Sequence, residues 1–309
     1  MKSNAKGSAD VWMLVFRLPE SLPIWIELLQ KSLHERFGPR FAVWHTDELL
    51  FGVRGGELAL YDTSGCRRSP PKVVYVRHNT ADLRPDHETS LLHHLEQMGV
   101  AVFNSLAAHT LCANKVLHLQ RLAAAGIPVP DTISYAAVPL GDVVQSPLLP
   151  EPCIVKSVRG NCGRAVFLAP QLELLREMHG NIDQRLPLLF QQYISSSRGR
   201  TLRILVVDGQ LIQSIVFSAS AGGLKSNASL GGDTSVCTGR YPEAEEIAIR
   251  AAKALGLVFG AVDFLFDEDR FIICEVNANP GWVAKTEDAL SSAIADYAVR
   301  LLNRTAALP

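Results

Sequence analysis

The chain has 309 residues, with 30 Lys and Arg against 31 Asp and Glu, and 48% of its residues are hydrophobic. This near-neutral balance excludes a strongly basic nucleic-acid binder, and 22 Gly with 17 Pro excludes a disordered or fibrous chain. No run reaches the ~18 uncharged apolar residues of a membrane span, so neither nucleic acid nor membrane is expected as a partner.

The six cysteines, Cys66, Cys112, Cys153, Cys162, Cys237 and Cys274, form no C-x-x-C pair and no zinc-ligand spacing with His. The opening MKSNAKGSAD is polar and lacks the apolar core of a secretion signal. Both features predict a cytoplasmic protein with a frayed tail over residues 1–10.

In chain order, Val11–Phe16 reads as a β-rich run and Glu20–Phe37 as a helix carrying Leu28, Leu29 and Leu33. Lys72–Val76 is a second strand, His87–Met98 a helix and Val100–Phe103 a third strand. Such alternation predicts a parallel α/β domain over 11–104. Residues 38–70 are turn-rich, and only Leu58–Tyr61 stands out there as a strand. His93 and His94 are expected on a solvated helix surface.

A central subdomain is expected over 105–187. It holds helices at Leu106–Leu111 and Lys115–Ala125, the second opened by Asn114 as N-cap and closed by Gly126 ahead of Pro128 and Pro130. Strands at Thr132–Tyr135 and Cys153–Val158 flank a Pro-rich loop, and a helix follows at Leu172–His179. The last subdomain, 188–309, opens with Leu188–Ile194, Leu202–Val207 and Leu211–Phe217. After a Gly/Ser/Asn loop at 218–240, a helix at Glu243–Leu255 sets Ala244, Ile247, Ala248, Ala251 and Leu255 on one face. A hairpin at 259–277 and a helix at about 286–303 complete the chain.

The strongest chemical signal lies in GAVDFLFDEDRFIICEVNANPG. Alternate strand residues share a face, so Glu275 and Asn277 project together about 7 Å apart. Asp263 joins them if the hairpin loop holds an odd number of residues, for example Asp267–Asp269 with Phe266 opposite Arg270. It then lies diagonal to Glu275, within the ~7–8 Å reach of such neighbours. Three oxygen ligands on a rigid sheet suit a hard cation. A solvated hairpin face is the plain alternative.

Isolated cations interrupt apolar surroundings elsewhere. Lys156 breaks Cys-Ile-Val-Lys-Ser-Val, and Lys115 sits in a helix first turn, where the macrodipole disfavours a cation. A polyphosphate would satisfy both ammonium groups, whereas each alone could be a snorkelling surface lysine. Gly160 and Gly163 could shape a flap whose N–H groups close over phosphates, or a simple hairpin turn. Arg203 stands alone in a β-branched run, with an ion pair to a core carboxylate as the competing reading. Arg77 closes a strand at the carboxyl end, where open α/β sheets bind ligands. Lys225, Ser226 and Asn227 lie in a glycine-rich loop that could order over a substrate. No P-loop, Rossmann glycine turn, G-x-S-x-G or H-E-x-x-H is present.

The order of these segments resembles an ATP-grasp ligase, and in particular the RimK-type α-L-glutamate ligases. The likeness runs from Val73 to Leu302 and rests most on Glu275-Val276-Asn277-Ala278-Asn279-Pro280-Gly281 and on the K-S-N…G-G loop of Lys225–Gly232. It implies an N-terminal α/β domain with two α+β lobes clamping ATP, and ATP-dependent carboxylate–amine ligation through an acylphosphate, releasing ADP. By position, Lys115 and Lys156 would hold ATP phosphates and Gly160–Gly163 would be the flap. Gln191, Gln192, Tyr193 and Ile194 would form the adenine hinge. Asp263, Glu275 and Asn277 would bind Mg²⁺, with Mn²⁺ as an alternative. Arg203 and Asn227 would serve the transferring phosphoryl group, and Arg77, Lys225 and Ser226 the substrate.

The implied partners are a glutamate-like amino acid and an amine acceptor (amino acid, peptide or protein); a homo-oligomer is left open. Gln192 replaces an acid usual at the hinge, Thr201 an acid two before the arginine, and Phe217 and Ser218 two arginines of glutamate ligases. Ring-forming ligation within a precursor peptide and non-catalytic nucleotide binding are the other readings.

Overall fold

The computed structural model describes residues 9–16, 24–77, 86–160, 166–219, 232–281 and 287–306. Its N-terminal part begins with β1 (Val11–Val15), α1 (Ile24–Phe37) and β2 (Phe41–His45). The turn-rich stretch then forms a separate antiparallel sheet of β3 (Leu49–Arg54), β4 (Glu57–Asp62) and β5 (Arg67–Arg68). After it come β6 (Val73–Arg77), α2 (Glu88–Gln97) and β7 (Ala101–Phe103). Strands β2-β1-β6-β7 make one sheet in that order, each neighbouring pair parallel. Every residue of β1 and β6 is buried because both faces of this sheet are covered. His94 is buried too, against Phe51 and with Nε2 3.2 Å from the Ala59 carbonyl, so the solvated surface expected for it is corrected by the small antiparallel sheet packing there.

Helices α3 (Leu106–Ala113) and α4 (Lys115–Ala124) follow, and the Asn114 carboxamide caps α4 by accepting from the N–H groups of Val116 and Leu117. The central part contains β8 (Thr132–Ser134), α5 (Leu140–Val143) inside the Pro-rich stretch, β9 (Cys153–Ser157), β10 (Val166–Ala169), α6 (Leu172–Met178) and β11 (Leu188–Gln192). Its sheet runs β10-β9-β11-β8. Pairing of Leu188–Gln192 with β9 and β8 carries this sheet past the break expected at 187. An interior strand cannot belong to a neighbouring lobe without leaving its ladder unpaired.

The last part holds β12 (Arg200–Val207), β13 (Gln210–Ser218), β14 (Asp233–Val236), α7 (Pro242–Ala254), β15 (Phe259–Asp267), β16 (Arg270–Asn277) and α8 (Glu287–Ala306). Five antiparallel strands are ordered β14-β13-β12-β15-β16. β14 lies inside the stretch read as loop; its four residues are all exposed, so no apolar pattern marks it.

Side-chain alternation distributes these elements into layers. On β12, Leu202, Ile204 and Val206 join the core under α7, whereas Leu205 and Val207 point to the other face. That second face shares one core with α8, α1 and the strands β1 and β6, including Val11, Met13, Leu29, Leu33, Tyr75 and Ile294. The central sheet keeps a core of its own around Val155, Leu172 and Phe190. No described helix is long and apolar enough to cross a membrane.

Candidate active site

The acidic hairpin is built differently from the odd-loop expectation. Asp267 faces Arg270 across a two-residue turn, Glu268–Asp269, with Glu268 at φ +52°. That register alone would set Asp263 opposite Cys274. A β-bulge intervenes: Phe264 pairs with Ile273, but Asp263 pairs directly with Glu275, leaving Cys274 as the extra residue. The bulge restores the parity that an odd loop would have supplied.

Arg203 is in turn opposite Asp263 on β12. One row across three strands therefore reads Arg203, Asp263, Glu275. The guanidinium makes a bidentate pair with Asp263, Nε to Oδ1 at 2.7 Å and Nη2 to Oδ2 at 2.8 Å. Burial works against the Arg203 charge, but the Asp263 carboxylate outweighs it and holds the pKa above the usual arginine value. Asn277 donates Nδ2 to Asp263 Oδ2 at 3.4 Å, which turns its amide oxygen away from that carboxylate.

Lys115, 6% exposed, reaches this row from the start of α4, with Nζ 3.8 Å from Glu275 Oε1 and 2.7 Å from the Gly160 carbonyl. Gly160 has φ +131°, and an added Cβ would come within 3.0 Å of Ser157 Oγ. Only glycine fits that turn without strain. Burial lowers the Lys115 pKa, Glu275 pulls it back up, and repulsion from Lys156 lowers it again, for a net value below the ordinary 10.5. Nucleotide affinity is therefore expected to start falling, as pH rises, below the ordinary lysine value of 10.5, where an unburied lysine still holds its proton. Lys115→Arg should move this loss to higher pH in calorimetric titrations; an unchanged limb would remove Lys115 from phosphate binding.

Lys156 lies on β9 beside β11. Its Nζ donates to the buried Gln191 Oε1 at 2.7 Å, and Gln191 Nε2 donates to Thr132 Oγ1 at 3.1 Å. The Cys274 thiol, pushed up to about 12 chiefly by burial, also feels the charges of Lys156, Asp263, Glu275 and Arg203. Both lysines and the acidic row thus share one electrostatic neighbourhood. His118, one turn after Lys115 and fully buried, is pushed down to about 3 by burial and then by Lys115 and Lys156. It stays neutral in the fold but charges at pH 6.5 when unfolded, so stability falls as pH drops from 6.5 toward 3. His118→Leu should flatten this acid limb, of order a few kcal/mol, in urea titrations at stepped pH; an unaltered limb would place the proton uptake elsewhere.

Gln192 and Tyr193 commit their backbone N–H groups to the carbonyls of Asp131 and Pro152, at 2.8 and 3.2 Å, while Ile194 is buried. Gln191, expected only as part of the hinge, is the member of this segment whose side chain is tied to Lys156. Arg77 is 6% exposed and directs Nη1 to Asn279 Oδ1 at 3.2 Å and Nη2 to the Pro280 carbonyl at 3.0 Å. Phe217 packs in the shared core with the Arg203 guanidinium 5.2 Å from its ring centroid. Gly163, Lys225, Ser226 and Asn227 lie outside the described residues.

Asp263, Glu275 and Asn277 offer oxygen donors suited to Mg²⁺; among the described residues no three His, Cys, Asp or Glu gather. Asp263 can serve both neighbours, because a carboxylate has about four acceptor directions and Arg203 takes one on each oxygen.

Residues 112–302 match the RimK-like ATP-grasp domain. The chain is 34% identical over 307 residues to mouse (Mus musculus) N-acetylaspartylglutamate synthase A, covering 95% of this chain and 79% of that protein. It is 33% identical over 305 residues to human (Homo sapiens) beta-citrylglutamate synthase B, covering 96% and 78%. Among solved structures, the ATP-grasp ligase PsnB complexed with a minimal precursor superposes with TM-score 0.66 at 20% identity, over 94% of this chain and 99% of that one, a likeness of fold. This chain belongs to the RimK-like ATP-grasp family and is an ATP-dependent ligase.

Proposed function

We propose that this ligase joins a carboxylate to the amine of glutamate, using ATP and Mg²⁺ and passing through an acylphosphate. The observation that carries the reading is the Arg203–Asp263–Glu275 row with buried Lys115 against it. The names of its relatives, N-acetylaspartylglutamate and beta-citrylglutamate synthases, support glutamate as one partner and suggest N-acetylaspartate and citrate as carboxylates to try.

A carboxylate oxygen of the donor attacks the terminal phosphorus as its bond to ADP breaks. The glutamate nitrogen then attacks the acyl carbon, the C–O bond to phosphate breaks, and the amine loses a proton. Such transfers need positioning and charge neutralisation more than a protein nucleophile. Lys115 and Lys156 supply positive charge for phosphate oxygens, and Arg203 adds charge where the phosphoryl group moves. Asp263, Glu275 and Asn277 would hold Mg²⁺, which would supply positive charge to offset that of the phosphates. Gly160 allows the chain to turn beside Lys115.

The test is ADP release from protein, ATP and Mg²⁺ with glutamate and each carboxylate, with mass spectrometry for the adduct less one water. ADP formed only with a matched pair is expected. Nucleotide binding with no ADP from any pair or peptide would instead favour the non-catalytic reading.

A further inference from the structure

The loop after β16 is held from the N-terminal sheet. Asn104, just past β7, donates Nδ2 to the carbonyls of Phe259 and Ala278 at 2.6 and 2.9 Å. Its Oδ1 accepts from the N–H groups of Val258 and Phe259 at 2.7 and 3.0 Å. One buried amide thus fastens the first residue of β15 and the first residue beyond β16. Arg77, at the end of β6, takes the next two residues by grasping Asn279 Oδ1 and the Pro280 carbonyl.

This leaves the Asn279 carboxamide divided. Its oxygen is occupied by Arg77, while Nδ2 is buried and has no hydrogen-bond partner among the described residues. The residue is only 9% exposed. Leaving an amide donor buried and unpaired is costly. Flipping the amide would not relieve it, because NH₂ would then face the guanidinium, donor against donor. Arg77 therefore fixes which end of Asn279 is presented, two residues beyond Asn277.

We propose that Asn279 is a ligand-binding residue whose Nδ2 takes an anionic oxygen at the transfer centre, and that Arg77 is its positioning residue. The oxygen belongs either to the terminal phosphoryl group of ATP or to an amino-acid carboxylate. The inference deepens the ligase reading and rests on it. It also gives Arg77 a task distinct from the direct substrate contact implied by family likeness: the guanidinium acts through the amide it orients.

Calorimetry on the full chain separates the sources, with Mg²⁺·ADP, Mg²⁺·AMPPNP, and L-glutamate added to the Mg²⁺·ADP form. Asn279→Asp keeps an acceptor for Arg77 and replaces the donor with an anionic oxygen. Expected is an affinity for Mg²⁺·ADP within about twofold of wild type, with a loss of roughly tenfold or more in one other arm. Loss for AMPPNP alone identifies the phosphoryl oxygen, and loss for glutamate alone the carboxylate.

Arg77→Met should weaken the same arm several-fold, yet add little once Asn279 is Ala. A merely structural clamp would weaken all three ligands and add to the loss in the double variant. No selective loss in Asn279→Asp, at wild-type melting temperature, overturns the proposal. Failure of the wild-type protein to bind Mg²⁺·ADP would instead sink the ligase reading itself.

Discussion

Glu275→Gln is expected to lower ADP release by roughly 10³-fold while the protein stays folded. The substitution keeps shape and one oxygen but removes the charge that faces Lys115 at 3.8 Å and would face a metal. The Glu275 side chain is 28% exposed but that of Lys115 is only 8% exposed, so losing the charge should cost about 1–3 kcal/mol of stability, limited because Lys115 keeps its bond to the Gly160 carbonyl. Two measurements check this: ADP release against Mg²⁺ concentration, and thermal melting. Turnover should require far more Mg²⁺ than in the wild type. Near-wild-type turnover with an unchanged Mg²⁺ requirement would take Glu275 out of the metal site.

Arg203→Met is expected to be the most destabilising change in the site. It strands the Asp263 carboxylate, whose side chain is 8% exposed, without its bidentate partner. Breaking a buried pair from one side costs about 3–5 kcal/mol, and the 23% exposure of Arg203 points to the lower end. Removing both charges in Arg203→Met/Asp263→Leu should restore much of that loss, since no orphan charge remains, while turnover stays abolished. Urea unfolding of the single and double variants checks the pattern. Equal destabilisation of the two would show that packing, and not the stranded carboxylate, sets the cost.

Most of the fold was legible because its elements carry strong periodicity. The α7 stripe of Ala244, Ile247, Ala248, Ala251 and Leu255 is buried as expected, and Asn114 caps the helix that presents Lys115. Two features were harder to read for physical reasons. Exposed strand β14 has no apolar face, so alternation cannot reveal it. The bulge at Cys274 breaks the period of 2 on which face assignment depends. Its trace was present nonetheless: Ile273 and Val276, three residues apart, both enter the core under α7, which an unbroken strand cannot arrange.

In the site, the cations were visible as interruptions of apolar runs, but their partners were not. That Lys156 meets Gln191, and Arg77 meets Asn279, depends on contacts across 35 and 202 positions of chain that no local pattern encodes.

The shared core between the N-terminal sheet and the acidic hairpin has a consequence for how the enzyme admits its reactants. Two layers that bury Leu205, Phe259 and Ile294 together with Val11 and Tyr75 cannot slide apart without exposing oily surface to water. The central sheet keeps a separate interior, so shifting it against the other layers would expose less buried apolar surface. Breathing motions should then resemble a jaw hinged on a fixed skull, and trimming the chain to begin at Ser105 should yield an aggregating fragment instead of a smaller working catalyst.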